Sequence, residues 1–173
     1  HFDEATQTLE SIVGWRTKRR IKGKLLLGTI DGVEAGLRKL RRSAPLETLV
    51  LELGDGRRLK IPTAAEMLRI KAFLVVERNA TRDYLDVAAL SHHIGLEQSA
   101  EALEPMNELY AEFAGEGGSM LTTLVMKLAA PDPYDLTDVD LTEYKGISPP
   151  WDDWRSVEAQ CRQLAVMILS RPE

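Results

Sequence analysis

The 173-residue sequence has a single cysteine, Cys161, which excludes an internal disulfide and a cysteine-rich zinc site. No apolar run approaches the roughly 20 residues needed to span a bilayer, so no membrane partner is expected. The opening residues His1-Phe2-Asp3-Glu4 lack the basic and apolar regions of a signal peptide. These absences together fit a reducing cytoplasm. Internal repeats and low-complexity tracts are missing too. What is present is the composition of a soluble globular protein, 44% hydrophobic and 28% charged. The length suffices for one domain, or for a domain with a helical extension.

Charge is unevenly spread. Residues 1–90 carry 17 Lys/Arg against 12 Asp/Glu, whereas residues 91–173 carry 5 against 15. Arg16, Lys18, Arg19, Arg20 and Lys22 crowd one extended segment beside Trp15, a pattern that offers phosphates a positive track and a base one ring to stack on. A solvated strand face accounts for the same residues equally well. Either way the charge predicts a basic half and an acidic half.

Hydrophobic periodicity predicts an α+β chain: a small mixed or antiparallel sheet with helices, followed by a helical C-terminal part. Residues 3–13 read as a short helix. Strands follow at 16–21, at 25–30 (ending on the hairpin signal Asp31-Gly32), at 33–40, at 46–53 and at 59–61. Thr63-Ala64-Ala65-Glu66 reads as a capping box opening a helix over 64–78 that is apolar nearly all round and therefore buried. A second helix runs from Ala80 to a terminating Gly95. Further helices are expected over 97–114, 119–129 and 152–169, with glycines 115, 117 and 118 as a break. The Pro- and Asp-rich stretch 131–151 reads as an irregular, exposed connection. The expected organisation is residues 1–95 as one domain and 96–173 as a helical region.

The most informative residues lie on the two helices after Pro62. Lys71 sits among Ile70, Ala72, Leu74 and Val75, where a lysine costs free energy unless a negative partner or ligand is supplied. Fifteen residues on, Arg82-Asp83-Tyr84-Leu85-Asp86 brings an arginine and two carboxylates. Lys71, Asp86, Arg82, Asp83, Arg69 and Arg78 are thus candidates for holding a phosphate-bearing ligand. The plainer reading is a lysine snorkelling along apolar surface and an Arg82–Asp86 ion pair at i,i+4. The pair His92-His93 reads as helix-end surface, since adjacent helical residues point about 100° apart and make a poor metal pair. Asp132, Asp135, Asp138 and Asp140 read as a solvated loop, and Cys161 as a small core residue.

The stretch IPTAAEMLRIKAFLVVERNATRDYLDVAAL resembles the C-terminal motif pair of AbiEii/AbiGii-type (MenT-like) nucleotidyltransferase toxins, in the DNA polymerase β-like superfamily. The resemblance covers residues 2–95 and is strongest over 61–90. It implies a bacterial, cytoplasmic toxin–antitoxin protein that transfers a nucleotide from NTP to a tRNA acceptor with Mg2+, beside a cognate antitoxin. Lys71 then matches the NTP-contacting lysine and Asp86 the aspartate supporting it. Arg69, Arg78, Arg82 and Asp83 fall around the substrate, and Arg16, Lys18, Arg19, Arg20 and Lys22 along the RNA. The family's metal-binding Gly-Ser turn with an Asp-x-Asp pair is absent from the sequence; Glu47 and Glu52, on the strand LETLVLEL, are the remaining candidates for a metal-holding acid, and a surface carboxylate on an edge strand is the better reading of both. The chain opens on His1 rather than Met, so one expectation is part of a longer enzyme whose missing motif lies upstream. The alternatives are a catalytically inactive nucleotide- or RNA-binding module and a structural or partner-binding protein.

Overall fold

The computed structural model describes residues 2–39, 42, 44–113, 118–144 and 146–171. The expected glycine break at 115 and 117 lies outside the described residues. The chain forms two compact units, residues 1–43 and 44–173.

In the first unit, α1 (Phe2–Glu10) precedes an antiparallel sheet of β1 (Trp15–Ile21), β2 (Leu25–Ile30) and β3 (Val33–Arg38) in the order β1-β2-β3. The β2–β3 hairpin turns on Asp31 (φ 48°) and Gly32 (φ 83°), two consecutive left-handed residues that match the strands' own twist. A register shift between Thr17 and Arg19 leaves Lys18 as an extra residue on β1, a bulge. Helix α1 stops at Glu10, short of the expected residue 13, and Gly14 turns the chain into β1 with φ 89°.

The second unit begins with a two-stranded antiparallel ribbon, β4 (Thr48–Glu52) and β5 (Arg58–Pro62). Then come α2 (Ala64–Arg78), α3 (Thr81–Ile94), α4 (Leu96–Leu103), the short α5 (Met106–Leu109), α6 (Met120–Ala129) and α7 (Trp154–Leu169). The α+β expectation holds, and the α2 boundaries fall where the sequence put them. Thr63 caps α2 in extended conformation and accepts from the Glu66 amide at 3.1 Å. Asn79 ends α2 in the left-handed region, φ 55° and ψ 36°. Only half of the expected capping box forms. The Thr63 amide bonds the Glu47 carbonyl (3.0 Å), while the buried Glu66 carboxylate turns to the Glu47 amide and to Arg69. The β-ribbon thus supplies what the helix was expected to supply for itself.

The expected single helix over 97–114 is broken at Glu104-Pro105, where proline removes an amide donor. Loop 131–140 is less free than expected. Asp135 Oδ1 accepts from both the amide (2.7 Å) and hydroxyl (2.8 Å) of Thr81, capping α3, whose own cap residue Ala80 has no side-chain acceptor. The core joins α2 (Leu68, Ala72, Phe73, Val75), α3 (Tyr84, Val87, Ala88), α6 (Leu124, Leu128) and α7 (Val157, Cys161, Leu164). Each fully buried leucine contributes about 1.5–3 kcal/mol through surface removed from water. The Phe73 ring stacks on Tyr110 at 4.2 Å.

Candidate functional site

Helices α2 and α3 fold back on one another about Asn79, and this hairpin gathers the charged residues. Lys71 Nζ lies 2.6 Å from Asp86 Oδ2, each side chain about one-third exposed (32% and 31%). Nearer the Asn79 bend, the Arg78 guanidinium grips Asp83, whose side chain is completely buried, with Nε at 3.2 Å from Oδ2. Asn79 Oδ1 accepts from Tyr84 Oη (2.7 Å) and Lys127 Nζ (2.8 Å), tying the bend to α3 and α6. Burial pushes the Tyr84 phenol up to about 12, with the Cys161 thiol and nearby carboxylates adding to it.

The exposed side of α3 opens onto a cavity of about 460 Å³. Arg82, Leu85, Asp86 and Ala89 form one wall, and residues of the 143–151 loop, notably Tyr144, Ile147 and Trp151, form the other. The Arg82 guanidinium sits 5.9 Å from the centre of the Tyr144 ring. Arg82 is therefore turned to the loop, and the i,i+4 pairing expected with Asp86 gives way to the Lys71–Asp86 bond. Burial raises the Tyr144 phenol, with Asp135 adding to the effect. Trp151 also packs edge-on to His92 (5.4 Å between ring centroids); His92 and His93 are exposed near the end of α3, as expected.

The structure brings Arg82 and Asp86 to the cavity wall, joins Lys71 to Asp86, and holds Arg78 with Asp83. It draws Arg69 elsewhere: Nε donates to the Ala102 carbonyl (2.7 Å), and one terminal nitrogen bonds Glu47 (2.8 Å) and Glu66 (3.2 Å). The Arg69 and Thr63 bonds hold the Glu47 carboxyl below its ordinary range. Glu52 is exposed on β4, opposite Arg58. Arg16, Lys18, Arg19 and Arg20 are exposed on β1, and Lys22 on the turn after it. Among the described residues, no group of three or more His, Cys, Asp or Glu is placed to hold a metal ion. Sequence reasoning missed Tyr144 and Ile147 entirely. The only available signal was the paired Trp151 and Trp154, apolar rings in an otherwise polar stretch.

No family model matches the chain, and no solved structure matches it. Curated relatives do. The chain is 39% identical over 132 residues to the heme uptake protein MmpL11 of Mycobacterium tuberculosis, a match covering 75% of this chain and 13% of that protein. It is 31% identical over 164 residues to the mycolic acid-containing lipids exporter MmpL11 of Mycolicibacterium smegmatis, covering 95% of this chain and 16% of the relative. The probable transport protein MmpL11 of Mycobacterium leprae is 33% identical over 129 residues, 75% of this chain and 12% of the relative. The chain therefore spans between 12% and 16% of the length of these relatives.

These matches overturn the AbiEii-type reading. The relatives are transport proteins, and nucleotide transfer, a toxin–antitoxin role, and NTP, tRNA and antitoxin as partners fall with that resemblance. The physical reason the motif misled is visible in the hairpin. A helix cap, a half-buried lysine and an Arg-Asp-x-x-Asp run are what two helices need in order to be pinned by ion pairs, with or without a nucleotide. No helix among the described residues is long and apolar enough to cross a membrane.

Proposed function

We propose that this chain is a module of an MmpL11-type transport protein that stands outside the bilayer and works by binding. The observation that carries the reading is the 39% identity over 132 residues to the M. tuberculosis heme uptake protein, joined by the match over 164 residues to the M. smegmatis lipid exporter. Both names describe amphipathic cargo. The α3 cavity suits the acidic end of such a molecule, because Arg82 supplies a cation and Leu85, Ala89, Ile147 and Trp151 supply apolar wall. At about 460 Å³ it takes a head group and the first part of an apolar body. On this reading Lys71 keeps Asp86 neutralised, so that the wall does not repel an anion.

The test is a chimera in which this chain replaces the matching segment of the M. smegmatis exporter. Export restored to a strain lacking that exporter, and lost again with Arg82→Glu, is the expected result. A chimera that reaches the membrane in normal amount and exports nothing overturns the reading. Our reading also puts the module on the cytoplasmic side. Supporting this are Cys161, buried and free, and the Lys/Arg-rich segment 16–39 of the kind retained on that side of a membrane. A cysteine introduced at exposed Glu112 in the chimera should resist a membrane-impermeant maleimide in intact cells. Labelling there rejects the placement.

A further inference from the structure

The strand register sorts the first sheet into two unlike faces. Ile21, Leu25 and Arg38 stand opposite one another, as do Arg19, Leu27 and Gly36, and Arg16, Thr29 and Glu34. Directly paired residues point to the same side, so these nine share one face. The other face carries Arg20, Leu26 and Leu37, with Trp15 against Gly28, and α1 covers it: Leu26 is fully buried and Glu10 bonds Arg20 at 3.1 Å.

On the first face Leu25 is buried, while Arg16, Arg19 and Arg38 are exposed, with Ile21 and Leu27 each 38% exposed between them. A Cβ on Gly36 would fall 2.7 Å from a Leu27 methyl, so glycine is what lets that leucine lie flat across the sheet. Glu34, the acid on this face, is bonded by Lys18 at 2.9 Å. Among the described residues no ion pair holds Arg16, Arg19 or Arg38. Lys22, Lys24 and Lys39 extend the positive charge around the Ile21 end, where the Lys39 amide bonds the Lys24 carbonyl. Residues 15–39 hold eight Lys/Arg and two Asp/Glu.

We propose that the face formed by Arg16, Arg19, Ile21, Leu27 and Arg38 docks on the anionic headgroup surface of a bilayer. Guanidinium groups pair with lipid phosphates, the flanking lysines add attraction to the negative surface, and the two aliphatic side chains press into the acyl boundary. Single-stranded nucleic acid fits less well. The stacking ring it needs, Trp15, lies on the opposite face under α1's side of the sheet.

The experiment is co-sedimentation of the full 173-residue chain with vesicles of phosphatidylcholine alone and of phosphatidylcholine mixed with phosphatidylglycerol. The chain should sediment only with the mixed vesicles, and raised salt should weaken binding about tenfold or more, as screening of surface charge requires. R19E/R38E should lose binding to a similar degree, whereas K60E/R155E, the same charge change placed in the second unit, should retain it. Circular dichroism reports folding, and should R19E/R38E unfold, R16Q/R19Q/R38Q gives the same reading. Absence of sedimentation with either vesicle, full binding by a folded charge variant, or binding to an RNA oligonucleotide but not to vesicles overturns the proposal.

Discussion

Lys71 on α2 and Asp86 on α3 meet at 2.6 Å across the helical hairpin, fifteen residues apart in sequence and each still one-third in contact with water. That exposure sets the size of the effect. A partly solvated pair gains less than its Coulomb energy suggests, because water screens it and two side chains lose freedom. A double-mutant cycle with Lys71→Met and Asp86→Asn, followed by urea unfolding, should give a coupling energy of about 0.5–1 kcal/mol. A coupling of zero would mean the pair is an incidental surface contact, and the hairpin would need another explanation.

Arg78 and Asp83 should behave differently although the chemistry is the same. The Asp83 side chain is fully buried and the Arg78 side chain is 45% exposed. Removing the arginine strands a carboxylate in the interior, whereas removing both partners does not. Arg78→Ala should cost about 3 kcal/mol, and Arg78→Ala with Asp83→Asn clearly less. If Lys71→Met proves the more damaging change, burial is not what ranks the two pairs.

These two pairs also show how far the sequence reaches. Lys71, Asp83 and Asp86 stood out because an ionisable residue inside an apolar helical pattern demands a partner, and the Thr63 cap and Asn79 bend fixed both helices well enough to pair them. The α2 ends, the Asp31-Gly32 hairpin and the α+β order follow from local chemistry of this kind. Long-range partners do not. Arg69 finds Ala102 and Glu47, Asp135 reaches back to Thr81, and Tyr144 closes over Arg82, each across more than twenty residues. Helix-pinning charges and phosphate-binding charges are the same residues at the same spacing, so the Arg-Asp-x-x-Asp run alone does not separate the two.

The distant cap on α3 gives a sharp local expectation. Asp135 Oδ1 accepts both bonds that Thr81 donates to loop 131–140, one from its amide and one from its hydroxyl. Asp135→Ala should cost about 1 kcal/mol, the usual value of an N-terminal cap. Amide exchange should quicken at Thr81 and in the first turn of α3 while the α7 amides stay protected. Uniform loss of protection across both helices would show the loop to be part of the global fold rather than a local cap.

Alkaline stability should be governed by two buried acids that stay protonated in the fold. Burial pushes the Cys161 thiol from an ordinary value near 9.0 to about 12, and the Tyr84 phenol from 10.0 to about 12. In the unfolded chain both ionise near their ordinary values, so above about pH 9 the unfolded state binds fewer protons than the native state. The stabilising contribution is therefore complete below pH 9 and is lost between there and about pH 12. Cys161→Ala should flatten the decline from about pH 9 upward and Tyr84→Phe the part above about pH 10, whatever either does to stability at neutral pH. A thiol reagent should also fail to modify Cys161 at pH 8 until denaturant is added, since both burial and a protonated sulfur withhold the nucleophile. Rapid modification of the native chain would place Cys161 in an opening segment of α7, and its thiol would then not govern alkaline stability.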